Sequence, residues 1–175
     1  MKIRKTPRII IGFVVALLFI WRARPTSPSF ALGALIMVLG ECVRFVSAGT
    51  LIKFEGVTRS GIYSFTRNPL YIGSFIIGLG ACVMGRDLVF TGLFLLLFPI
   101  VYSRVIKREE AYLVGRYGEE YEAYLREVPR ILPRRFDLAG ALRETSPFLA
   151  VKNRELPAIL GLMAVLGVMA VKMAV

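Results

Sequence analysis

Histidine is absent from the 175 residues, and that absence excludes more chemistry than any other feature of the composition. It removes Ser/His and Cys/His nucleophile pairs and denies zinc its commonest nitrogen ligand. Cysteine occurs only twice, at Cys42 and Cys82, in separate apolar runs without CxxC spacing. Neither a disulfide framework nor a metal site is expected, and both read as packing residues. Acidic residues are scarce beside basic ones, 12 against 23, for a net charge of +11. The basic residues lie between apolar runs rather than in one aromatic-interleaved patch. They point to anionic lipid headgroups and away from nucleic acid.

Apolar sequence is what the chain has in excess. The hydrophobic set makes up 56% of it, and the mean hydropathy of +0.64 lies outside the usual range of soluble domains. Five segments, 8–24, 29–48, 69–85, 87–106 and 156–174, come near the ~20 residues that cross ~30 Å of hydrocarbon. The expected fold is all-α and polytopic, because an outer-membrane barrel would show short alternating strands instead. The third and fourth segments are joined only by "GRD" and predict a tight antiparallel hairpin.

The basic start (Lys2, Arg4, Lys5, Arg8) and the run from Ile9 to Trp21 resemble a signal peptide. "WRARPTSP" then puts charges and prolines where a small-residue cleavage site belongs, so a retained first helix is expected. With the N-terminus, the 49–68 connection and the 107–155 segment on one side, the other side keeps only Arg22, Arg24, Arg86 and Lys172. The asymmetry makes the N-terminus cytoplasmic and, after five spans, the C-terminus external. The division expected is a two-helix hairpin over 1–48, a core over 49–135, and a linker with the last span over 136–175.

Two polar stretches flank the central hairpin. "SGIYSFTRNPLYIG" precedes it and "SRVIKREEAYLVGRYGEEYEAYLREVPRILP" closes it, so an antiparallel hairpin brings them together. Pro69 suits a first helical turn and Asn68 the N-cap before it. In the second stretch, Leu113, Tyr117, Tyr121, Tyr124, Leu125 and Val128 recur at the spacing of one helix face. Gly115 and Gly118 weaken its middle, and Pro129 and Pro133 stop it. Glu109 and Glu110 read alone as a solvated charged face. Glu41 and Arg44, three apart, read equally as an intramembrane site or as a structural ion pair. Gly73, Gly78, Gly80 and Gly85 read as positions for close helix packing.

"GIYSFTRNPLYIG" followed by "REEAYLVGRYGEEYEAYLREVPRILP" resembles the integral membrane methyltransferases typified by isoprenylcysteine carboxyl methyltransferase, with the phospholipid methyltransferases as relatives. The resemblance covers roughly residues 45 to 135. It implies S-adenosylmethionine as methyl donor, a cytoplasmic-side pocket, and a lipophilic or lipid acceptor reached from the bilayer. Carried over by position, it implies cofactor contacts at Asn68, Pro69, Leu70 and Tyr71, at Tyr63 and Arg67, and at Glu109 and Glu110. A pocket-closing strip falls on Glu55 to Thr58, with Val57 and Thr58 as contacts. The family's acceptor-handling arginine has no counterpart at Val105, and Arg104 and Arg108 on either side are the candidates for orienting the acceptor.

One departure matters. The family's usual histidine before the proline is Asn68 here, which can hydrogen-bond but cannot take a proton at neutral pH. A carboxylate or thiolate acceptor needs no general base, whereas an amine must lose a proton. The carboxylate or thiolate is therefore favoured. The rival expectations are a membrane reductase of the sterol-reductase type using NADPH, and a non-catalytic membrane scaffold.

Overall fold

The computed structural model describes residues 6–52, 56–133 and 137–174, with side chains from residue 14 onward. Among them are eight α-helices, one short 3-10 turn and no strand. The long helices are α1 (Thr6–Arg22), α2 (Ser27–Thr50), α3 (Pro69–Gly85), α4 (Leu88–Tyr117) and α8 (Glu155–Ala174). The short ones are the 3-10 turn Gly61–Ser64, α5 (Glu119–Glu127), α6 (Leu138–Arg143) and α7 (Pro147–Lys152).

Three helices, α2, α4 and α8, are long and apolar enough to cross a membrane. Their large apolar side chains, among them Leu35, Leu39, Leu96, Leu97, Leu160 and Met163, are exposed, as a lipid-facing surface requires. The expectation of five spans is met only in part. α1 and α3 have 17 residues each and reach about 25 Å at ~1.5 Å per residue, short of ~30 Å of hydrocarbon. α4 has 30 residues and reaches about 45 Å, so one end projects well past the hydrocarbon. The sequence divided this element into a span and a separate polar helix. In fact the helix continues through Glu109 and Glu110 and breaks only at Gly118, whose φ of 54° favours glycine. Gly115 lies inside α4 and makes no break.

The tightest helix pair is α2 with α3. Gly33 faces Gly80 and Gly40 faces Gly73, so both helices carry glycine every seven residues along one seam. A Cβ on any of the four would lie 2.6–2.8 Å from a backbone oxygen of the opposite helix. Small residues let the backbones touch, and this is how helices gain packing in lipid. α3 and α4 do form the antiparallel hairpin, but a layer of rings separates them. Phe94 lies against Gly78, and Phe75, Phe94, Phe98, Tyr102 and Tyr71 follow with centroids 4.0–5.5 Å apart.

At the loop end of the hairpin, Phe19, Ala23, Met37, Met84, Leu162 and Met169 form a core that draws on α1, α2, α3 and α8. The four basic residues separated out by charge asymmetry gather there. Arg22 pairs with Asp87 at 2.7 Å, Arg24 N–H donates to Gly85 O, and Lys172 Nζ donates to the carbonyls of Ile20 and Trp21. The bond from Phe90 N–H and the Arg22 guanidinium hold the Asp87 carboxyl below its usual range. Arg86 caps α3.

Candidate active site

The opposite end of the bundle holds a cavity of about 350 Å³, within the roughly 300–1,000 Å³ of small-molecule sites. Every residue assigned a cofactor contact lines it: Val57, Thr58, Tyr63, Arg67, Asn68, Pro69, Leu70, Tyr71, Glu109 and Glu110. Arg104 and Arg108, the candidates for acceptor orientation, are exposed on α4 and are not part of the lining. Glu55 lies outside the described residues.

The two motifs meet at a hydrogen bond. Tyr71 Oη, on the first turn of α3, donates to Glu109 Oε2 on α4 at 2.8 Å. The ladder of rings running down to Tyr102 and Tyr71 sets the distance between the helices at this point. Adjacent Glu110 has a different environment. It is 6% exposed and bound on both sides by guanidinium groups, Arg67 at 3.1 Å and Arg130 at 2.5 Å. Arg67 also donates to Leu125 O at 2.6 Å, and its backbone N–H to Pro129 O. Glu110 therefore locks the segment after α5 against the entrance to α3. Its carboxylate raises the Arg130 pKa above the usual value.

Asn68 corrects one expectation. It stands at the N-cap, and its carbonyl accepts from Tyr71 N–H and Ile72 N–H, but its side chain makes no cap bond. Asn68 Nδ2 donates instead to Arg130 O at 3.0 Å, a carbonyl that Thr66 Oγ1 also contacts. Buried at 8% exposure, the amide finds its partner within the protein and ties the helix entrance to the proline segment.

Tyrosines form much of the remaining wall. Tyr124 Oη donates to Tyr63 O at 2.7 Å, and Tyr121 packs edge-on against Tyr124. Burial, and to a lesser degree the Glu110 charge, push the Tyr121 phenol up to about 12. Burial raises Tyr63 and Tyr124 as well. These phenols stay protonated at neutral pH and act as donors, not bases.

The sequence missed a third part of the wall. Asn153, Arg154 and Glu155, at the entrance to α8, line the cavity with Arg44 and Ser74. Arg44 joins Glu155 at 2.7 Å and Ser74 Oγ at 2.6 Å, with Glu41 more distant at 3.7 Å. The Glu41–Arg44 pair thus belongs to a clamp fastening α2, α3 and α8. An acid immediately before the last apolar run was the signal available, in "KNRE".

Among the described residues no group of His, Cys, Asp and Glu could hold a metal ion. Fold and site define an integral membrane protein with a cavity lined by the two motifs at one end of its helices. A family model described as phospholipid methyltransferase matches residues 28–120, and the chain belongs to that family. It is 36% identical over 94 residues to the protein-S-isoprenylcysteine O-methyltransferase of Schizosaccharomyces pombe, covering 54% of this chain and 40% of that protein. It is 31% identical to the cobalt-zinc-cadmium resistance protein CzcN of Cupriavidus metallidurans, covering 73% of this chain and 62% of that one. A methanethiol S-methyltransferase of Crocosphaera subtropica is 35% identical over 48% of this chain and 31% of its own length. The chain thus spans 31–62% of these relatives. No solved structure matches it significantly.

Proposed function

We propose that the protein transfers a methyl group from S-adenosylmethionine to a lipophilic or lipid acceptor at the cytoplasmic face of the membrane. The observation that carries this reading is the Tyr71–Glu109 bond, which unites motifs 38 residues apart at the rim of one cavity. The lining fits an amino-acid zwitterion attached to a nucleoside. Glu109 suits an ammonium group, the opening turn of α3 suits a carboxylate, and the tyrosine wall suits a planar base. Arg67 adds a buried Nε–H without a partner among the described residues. When bound, S-adenosylmethionine supplies a methyl group on a cationic sulfur that departs as a neutral thioether.

The residues of the chain bind, orient and exclude water, since methyl transfer depends chiefly on holding the reacting atoms close and in line. The wall holds no histidine, so carboxylates such as Glu109 are the only side chains left to take a proton from an amine acceptor. Asn68 is committed to Arg130 O and the phenols are protonated. This supports a carboxylate or thiolate acceptor over an amine. The relatives named for isoprenylcysteine and methanethiol methylation support the same class.

The proposal includes five spans, with α1 and α3 crossing beside the three longer helices, and an external C-terminus. The gathering of Arg22, Arg24 and Lys172 at the end opposite the cavity supports it. A tag after Val175 should be reached only from outside, and labelling from the cytoplasm would remove one span. For the activity, protein in detergent incubated with native lipid extract and methyl-labelled donor should yield a labelled lipophilic product. No product, and no binding of S-adenosylhomocysteine, would overturn the reading.

A further inference from the structure

Most charged side chains around the cavity have a partner among the described residues. Arg67 is joined to Glu110, Arg44 to Glu155, and Glu109 accepts from Tyr71. Arg154 lines the same cavity and is exposed, yet its side chain has no ion pair or hydrogen bond among the described residues. Its position is fixed from both sides. Asn153 Nδ2 donates to Ala48 O and Leu51 O, both at 2.8 Å, and Glu155 is clamped to Arg44. The backbone N–H of Arg154 donates to Val151 O. The chain is thus anchored to α2 immediately before and after a cation without a partner among the described residues.

Arg154 also lies outside the part matched to the family, which ends at residue 120. The matched part contains Tyr63, Asn68 to Tyr71, Glu109 and Glu110, the residues suited to the cofactor. Relatives that match part of this chain are named for different acceptors, an isoprenylcysteine and methanethiol. Arg154 adds to the wall a cation that the matched part does not supply. We infer that Arg154 recognises a carboxylate on the methyl acceptor and so sets the acceptor class of this protein; the inference rests on the methyltransferase reading.

A guanidinium can hold one carboxylate oxygen and leave the other free to react. On methylation the acceptor becomes a neutral ester, the electron pair of the broken C–S bond stays on sulfur, a C–O bond forms, and no proton moves. The charge Arg154 binds is present before the reaction and absent after it. The residue therefore contributes to acceptor binding and favours release of the product.

The test compares N-acetyl-S-farnesylcysteine with its methyl ester, with and without S-adenosylhomocysteine, on wild type, R154Q, R154K and R154G in detergent. Wild type should bind the carboxylate at least about tenfold more tightly than the ester. R154Q should abolish that preference, R154K should keep part of it, and the affinity for S-adenosylhomocysteine should be the same in all. R154G separates side chain from backbone. At φ 66° glycine is the less strained residue, so the preference should vanish while the protein stays at least as stable. Absence of a preference in wild type, or its survival in R154Q, overturns the inference. So does a loss of S-adenosylhomocysteine affinity in R154Q, which would give Arg154 to the cofactor. A wild type that binds no S-adenosylhomocysteine defeats the methyltransferase reading itself, while the carboxylate preference still decides the role of Arg154.

Discussion

Glu109 and Glu110 are neighbours with the same side chain, and conversion of each to glutamine should have opposite consequences. Glu110 is 6% exposed and lies between Arg67, 9% exposed, and Arg130, 44% exposed. Glu110→Gln leaves both guanidinium groups without a counter-charge. Removing one partner of a buried ion pair costs about 3–5 kcal/mol, and the lower end applies because Arg130 can rehydrate. About 3 kcal/mol of folding stability should be lost. Glu109 is exposed and accepts one hydrogen bond from Tyr71, which an amide oxygen can also accept. Glu109→Gln should change folding by no more than about 0.5 kcal/mol. Its effect should appear in cofactor affinity, where a lost charge-assisted bond is worth about 1.5–3 kcal/mol, or roughly 10- to 150-fold in Kd. Thermal and denaturant unfolding of the two variants without ligand, followed by calorimetric titration with S-adenosylhomocysteine, separates the two effects. Equal stability of the variants would refute the division of labour, as would an unchanged Kd in Glu109→Gln.

Replacement of Gly40 or Gly73 by leucine should abolish the folded protein, because each would drive a side chain into the backbone of the facing helix, whereas Gly92→Ala, with nothing within 4 Å, should be neutral in yield and melting temperature. Alkaline pH should destabilise the fold through Tyr63, Tyr121 and Tyr124. Their folded pKa values stand above the unfolded value of about 10, Tyr121 at about 12. The unfolded chain releases these protons first, so stability is fully present below about pH 10 and falls as pH rises through the folded values. A melting temperature unchanged from pH 8 to 11 would contradict the burial of these rings.

The sequence carried the juxtaposition of the motifs because two facts sufficed: a three-residue connection forces an antiparallel hairpin, and Asn68-Pro69 marks where its first helix starts. It did not carry which helix packs closest to α3. Glycines at 73 and 80 announce a close approach but not the partner, and the partner is α2, whose Gly33 and Gly40 share the same seven-residue spacing. The separate environments of Glu109 and Glu110 were also hidden. They depend on Arg130, twenty residues away beyond a helix break, and helical periodicity places adjacent residues on different faces without saying what each face meets. Asn68 was legible as a backbone N-cap, but the acceptor for its amide, Arg130 O, is supplied by the proline segment. The contribution of Asn153 to Glu155 was invisible for a similar reason. It arises from α7 and α8 folding back on α2, a contact between segments more than 100 residues apart.

Methyl transfer from a labelled donor tests the central claim most directly. Purified protein in detergent or vesicles, incubated with methyl-labelled S-adenosylmethionine and native lipid extract, should transfer label to a lipophilic product identified by mass spectrometry. Transfer should fall in Glu109→Gln, in step with its cofactor affinity. A wild type that binds neither S-adenosylmethionine nor S-adenosylhomocysteine at millimolar concentration and labels no product would contradict the account.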